Sequence, residues 1–225
     1  MKKRLFAALM ALSLSATLLF PTAAAYNPKF DIHGKKLEDM TPEQQKQAIL
    51  EWMLFYAAMA LPFEDVPKDS WAYAGVDYVW RAGLMSGVSE TSFAPNEPTN
   101  RATAWTVLAR VMGESTAAAE GQRWYEPGVL WAARQGLGDG SDPLGSITRE
   151  YLAAMLWKCA GAPPTLMDLS GFSDSGQVSG YAVTGMRWAV VNGILQGSDG
   201  RLSPQGSLTR AELAAMVMRF SLLQY

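Results

Sequence analysis

Three arginines, Arg101, Arg149 and Arg210, each head an apolar stripe with the same spacing. Three residues on stand Ala104, Leu152 and Leu213, and six on stand Val107, Met155 and Met216. Seven on stand Leu108, Leu156 and Val217, and ten on stand Val111, Cys159 and Phe220. Offsets of 3, 6, 7 and 10 trace one face of a helix, so each arginine opens an amphipathic helix.

A second pattern lies upstream of each. Trp71, Trp124 and Tyr181 correspond; four on are Gly75, Gly128 and Gly185, and seven on are the aromatics Tyr78, Trp131 and Trp188. Eight on are Val79, Ala132 and Ala189; twelve on, Gly83, Gly136 and Gly193; thirteen on, Leu84, Leu137 and Ile194. Sixteen on are Gly87, Gly140 and Gly197. Agreement of this kind in triplicate marks an internal repeat. Each copy reads as a first helix of about a dozen residues, a loop, and the Arg-led helix. A mid-helix glycine costs ~1 kcal/mol against alanine, so Gly75 and its equivalents predict close helix–helix approach. The second glycine predicts a helix C-cap. The loops carry Phe93–Ala94–Pro95 in the first copy and Leu202–Ser203–Pro204 in the third. Gly197–Ser198–Asp199–Gly200 has too few carboxylates for a calcium loop and reads as a tight turn.

The Arg-led helices begin with cap chemistry. Asn100, Thr148 and Thr209 are suitable N-caps, and Thr209 with Glu212 spells a capping box. Arginine at the first helical position is unexpected, since the helix dipole disfavours a cation there by about 0.3–1 kcal/mol. Its threefold recurrence calls for a partner, either an internal carboxylate or an anion from outside, because helix N-termini bind anions and a guanidinium adds a bidentate contact.

The chain opens with Lys2, Lys3 and Arg4, an apolar run from Leu5 to Phe20, and Ala23–Ala24–Ala25, the pattern of a cleaved secretory signal over residues 1–25. Without those three cations, 16 basic residues face 21 acidic ones. An acidic exported chain of this kind has no basic field for nucleic acid, and no later stretch is long enough to span a bilayer. Residues 26–40 read as a polar arm. Thr41, Pro42 and Gln44 then start a helix over 41–61 with apolar Ala48, Ile49, Trp52, Met53, Tyr56, Met59 and Ala60. It reads as packing on the rest of the domain, with a partner-binding role as the sharper alternative.

One histidine and one cysteine leave no intramolecular disulfide and no metal cluster. Cys159 falls on an apolar helix face, and His33 has no companion ligand. No phosphate loop, dinucleotide fingerprint or zinc spacing occurs, so no catalytic residue, metal or cofactor is expected.

The order F-x-D-V at Phe63–Val66, Trp71, G-L-M-x-G at Gly83–Gly87, F-x-P at Phe93–Pro95 and T-R-A-E at Thr209–Glu212 resembles the S-layer homology (SLH) motif, in tandem over 63–113, 121–161 and 172–220. The second copy departs: it lacks F-x-D-V, has a shorter loop, and reads Thr148–Arg149–Glu150–Tyr151. The resemblance implies an all-α, pseudo-threefold, three-pronged spindle, with the 26–62 arm and helix outside it. It also implies non-covalent anchoring at a bacterial cell wall, with a pyruvylated secondary cell-wall polymer bound in grooves between prongs. On the same ground, glycan contacts are expected at Arg101, Arg149 and Arg210, at Asp65 and Asp174, and at the loop glycines Gly87 and Gly197. Trp71, Trp124 and Tyr181 are expected either as sugar-facing walls or as core. An exported interaction protein that keeps the scaffold without binding glycan, with helix 41–61 as its partner surface, is the alternative.

Overall fold

The computed structural model describes residues 39–48, 50 and 60–223. The expected signal segment, nearly all of the polar arm and most of the second half of the 41–61 helix lie outside the described residues. Two compact units are present. One combines residues 77–93 with the described residues up to Lys68, and the other combines 69–76 with the described residues from Ala94 on.

The described architecture is helical. Six helices form three pairs: α1 (Tyr73–Arg81) and α2 (Arg101–Val111), α3 (Glu126–Arg134) and α4 (Arg149–Cys159), α5 (Val183–Val191) and α6 (Arg210–Ser221). Among the described residues there is no sheet, only isolated bridges. The first helix of each pair has 9 residues. That is shorter than the dozen expected, because the chain at Trp71 and its equivalents still turns before the helix begins. The Arg-led helices start where the caps put them: Asn100, Thr148 and Thr209 are extended and accept from the N–H of Thr103, Tyr151 and Glu212. The Thr209–Glu212 capping box is complete. Thr41 and Gln44 form a reciprocal cap as well, at 3.0 and 3.3 Å, and residues 42–48 are helical.

The apolar stripes bury as their spacing requires. Ala104, Leu152 and Leu213 are fully buried, with Leu108, Leu156 and Val217 beside them. A buried Leu, Val or Met side chain contributes roughly 1.5–3 kcal/mol over leaving it in water, which selects these helix faces.

The mid-helix glycines show how the pairs interlock. A Cβ at Gly128 would lie 2.9 Å from the backbone of Thr106, one at Gly185 2.7 Å from Ala154, and one at Gly75 2.8 Å from Ala215. Thr106, Ala154 and Ala215 occupy the same position, five residues past the leading arginine. So α3 packs on α2 and α5 on α4, while the Gly75 turn of α1 packs on α6. Each of these three glycine turns therefore rests on the second helix of another pair, in cyclic order.

Gly83, Gly136 and Gly193 lie at φ +63°, +65° and +68° directly after their helices. Each amide donates three residues back, to Trp80, Ala133 and Val190, and the next amide reaches Val79, Ala132 and Ala189 at 2.8–2.9 Å. These are Schellman closures, which need the left-handed conformation that glycine adopts without strain. Leu84, Leu137 and Ile194 follow, all buried.

Candidate glycan-binding site

The helix N-termini are not available to an outside anion. At α2 the Arg101 N–H donates to the Gly145 carbonyl at 3.0 Å and the Ala102 N–H to the Pro143 carbonyl at 2.7 Å. At α4 the Arg149 and Glu150 amides donate to Gly206 and Pro204, both at 3.0 Å. At α6 the Arg210 and Ala211 amides donate to Glu97 and Pro95, at 2.9 and 3.0 Å. With the side-chain caps, the free donors of each first turn are satisfied. The expected anion seat on the helix dipole is thus filled by loop carbonyls. In each case the loop belongs to another pair, in the cyclic order of the glycine contacts. Ala94, Asp142 and Ser203, one before each loop proline, adopt left-handed φ of 57°, 45° and 50° to aim those carbonyls.

The arginine side chains remain, and they differ. Arg149 is spent inside the protein. Its Nη1 donates to a Glu212 carboxylate oxygen at 2.6 Å, its Nε to the Leu202 carbonyl at 2.9 Å and its Nη2 to the Gln196 carbonyl at 3.1 Å. Only 16% of its side chain is exposed. Arg101 is more open, with 34% of its side chain exposed. Its guanidinium lies 5.9 Å from the Tyr151 ring centre, and its Nη1 is 3.3 Å from the exposed Asp142 carboxylate. Neighbouring Asp139 titrates below the usual carboxylate range, because the Ser141 hydroxyl and N–H donate to it and Arg101 attracts its charge. Arg210 starts α6 half-buried, with its backbone tied to Glu97.

The two acidic residues of the F-x-D entries serve the loops. Asp65 accepts from the Phe93 N–H at 2.8 Å and the Ser92 hydroxyl at 2.7 Å. Asp174, buried, accepts from the Leu202 and Ser203 amides at 2.9 and 2.8 Å. Its cationic partner is Arg201, at 3.6 Å. Gly87 and Gly197 face phenylalanine: a Cβ would meet the Phe63 ring at 2.5 Å and the Phe172 ring at 2.7 Å. Packing alone therefore requires glycine at both positions.

The aromatics resolve toward the surface. Trp71, Trp124 and Tyr181 are 64%, 52% and 59% exposed. Trp124 meets Tyr125 edge-on at 5.3 Å. Tyr181 turns its hydroxyl inward to donate to Glu150 at 3.1 Å. Partial burial and the Glu150 carboxylate push its phenol up to about 12. Glu150 is itself buried and accepts from the Ser179 N–H at 2.9 Å. The glycine contacts thus bring the Tyr181 entry to the Arg149 start, the Trp124 entry to the Arg101 start and the Trp71 entry to the Arg210 start.

Glu212, Tyr151, Glu150 and Asp142 are the site neighbours that single-copy reading missed. Glu212 was legible only as a cap. Its role as the partner of Arg149 appears when the copies are registered against each other in cyclic order. Among the described residues, no group of three potential ligands is placed to hold a metal ion. Cys159 is a free thiol, and burial pushes it up to about 12.

Two segments match the S-layer homology domain: residues 62–104 and 171–214. They take in the F-x-D entry, the glycine loop and the Arg-led start of the first and third pairs; the middle pair lies between them. The S-layer protein sap of Bacillus anthracis is 27% identical over 183 residues, covering 72% of this chain and 22% of that protein. The S-layer protein of Bacillus thuringiensis subsp. finitimus is 30% identical over 112 residues, 44% of this chain and 14% of its own. An endoglucanase of Bacillus sp. (strain KSM-635) is 27% identical over 176 residues, 70% of this chain and 18% of the enzyme. The chain spans at most about a fifth of these relatives' lengths. The shared S-layer homology segments support cell-surface anchoring in general. Among the described residues, no helix is long and apolar enough to cross a membrane.

Proposed function

We propose that the protein is a non-covalent cell-envelope anchor that binds an anionic secondary cell-wall polymer at the junctions between its helix pairs. The carboxylate of a pyruvylated sugar is the anion that suits a guanidinium fork. The observation that carries this reading is the Arg101 junction. There a partly exposed guanidinium lies over an aromatic ring, with the exposed carboxylates of Asp142 and Asp139 as its acidic neighbours, beside the entry that carries exposed Trp124. A sugar ring stacks on an exposed indole while its acid group takes the arginine. Asp65, Asp174, Gly87 and Gly197 contribute in this reading by fixing the loops rather than by touching the glycan. The cyclic capping of all three Arg-led starts supports treating the middle pair as a third copy of the same module. Exposed rings beside a partly exposed guanidinium are binding chemistry; a hydrolytic enzyme would need two carboxylates poised across a cleft.

Co-sedimentation with purified wall sacculi tests this. The protein is expected to pellet with intact sacculi and to stay in solution once the polymer is extracted or its pyruvate removed. Equal pelleting with extracted sacculi contradicts polymer binding.

A further inference from the structure

Resting on the anchoring reading above, we propose that Glu212 selects between the junctions: its carboxylate occupies Arg149 from within the chain, so the polymer's acid group is held at Arg101 and not at Arg149. The residue two past each leading arginine is Thr103, Tyr151 and Glu212 in turn. In the two junctions seen here, that residue faces the arginine of the preceding pair. Tyr151 presents its ring to Arg101 at 5.9 Å, and Glu212 presents its carboxylate to Arg149 at 2.6 Å. A ring against the guanidinium leaves hydrogen-bonding edges for a bidentate anion, whereas a carboxylate consumes one.

The rest of each junction points the same way. Arg149 spends its other nitrogens on the Leu202 and Gln196 carbonyls. Glu212 is held from its other side by the Thr209 N–H at 2.9 Å, so an arriving acid group would have to break the α6 cap to displace it. Glu150, next in sequence to Arg149, stands where the other two starts carry Ala102 and Ala211, and its buried carboxylate is held by the Ser179 N–H and the Tyr181 hydroxyl. Arg219 is the other cation there, and it is turned to the Ile194 carbonyl and the Gln196 side chain at 3.1 and 3.2 Å. At Arg101 the competitors are Asp142, 64% exposed and 3.3 Å away, and exposed Asp139, whose charge Arg101 attracts; both are surface carboxylates that an anion displaces readily.

Calorimetric titration of the purified protein with pyruvylated wall-polymer fragments tests the assignment, using Arg101→Ala, Arg149→Ala and the double variant Glu150→Ala/Glu212→Gln. Glutamine keeps an oxygen for the Thr209 N–H, and alanine is what the other starts carry. Arg101→Ala is expected to weaken binding by about tenfold or more, and Arg149→Ala by less than about twofold. The double variant is expected to gain one site per chain. Unchanged stoichiometry in the double variant, or a tenfold loss in a folded Arg149→Ala, overturns the assignment. If the unmutated protein binds nothing, the anchoring reading fails instead. The internal occupancy is then read without ligand: losses in urea midpoint for Arg149→Ala and Glu212→Gln that are less than additive when combined support it, and strictly additive losses overturn it.

Discussion

The Arg149 guanidinium meets the Glu212 carboxylate at 2.6 Å, joining the start of α4 to the first turn of α6. Removing Arg149 also strands the Leu202 and Gln196 carbonyls. Arg149→Met is therefore expected to cost about 1–3 kcal/mol, the range for partly buried groups left without a partner. Arg101→Met, whose ion pair is exposed, is expected to stay within about 0.5 kcal/mol. Urea unfolding of both variants checks the difference, and equal losses contradict it.

The helix contacts make a second expectation. Gly128→Ala and Gly185→Ala place a methyl within 2.9 Å of a neighbouring helix backbone, which cannot yield as a side-chain tip can. Each is expected to lose about 1–3 kcal/mol by overpacking. Gly171→Ala, with nothing within 4 Å of its Cβ position, is expected to be neutral or slightly stabilising. Thermal midpoints of the three variants give the comparison.

Much of this was legible in the sequence. Caps at Asn100, Thr148 and Thr209 and glycines after α1, α3 and α5 fix helix ends by local chemistry, which a single stretch of chain carries. The close approach at Gly128 was also readable, because only a steric demand explains a glycine inside a helix. Its partner was not readable. Packing of α3 on α4 or on α2 would use the same repeated residues, so the repeat pattern is blind to the cyclic exchange. For the same reason the carbonyls of Pro143, Pro204 and Pro95 could not be foreseen as caps. Without them the helix starts looked open to an anion. The exposure of Trp71 and Trp124 was ambiguous because aromatic residues at a helix entry serve core and surface alike.

Asp174 carries a pH dependence. Burial raises its pKa, but the Leu202 and Ser203 amides, with Arg201, outweigh burial and hold the carboxyl below its ordinary 3.8. A depressed folded pKa gives stability that is present above the unfolded value and is lost as pH falls through the folded one. The unmutated protein is expected to lose stability progressively below about pH 4. Asp174→Asn should be less stable at neutral pH and flatter across that acid window. Thermal midpoints in pH steps decide it; parallel profiles contradict the role given to Asp174.

Cys159 should be inert in the folded protein. Burial holds its thiol at about 12, so almost no thiolate forms near neutrality. A chromogenic disulfide reagent at pH 8 is expected to label it only as the chain unfolds, with a rate that rises with urea. Rapid labelling of the native protein contradicts this burial.

The central claim is that an open arginine at a helix-pair junction holds the acid group of a wall glycan. Titrating pyruvylated polymer fragments into the unmutated protein and into Arg101→Ala tests it most directly. Micromolar or tighter binding that falls by about tenfold in a variant with unchanged stability is the expected result. Binding that is the same in both proteins, or equally strong for fragments stripped of pyruvate, would contradict it.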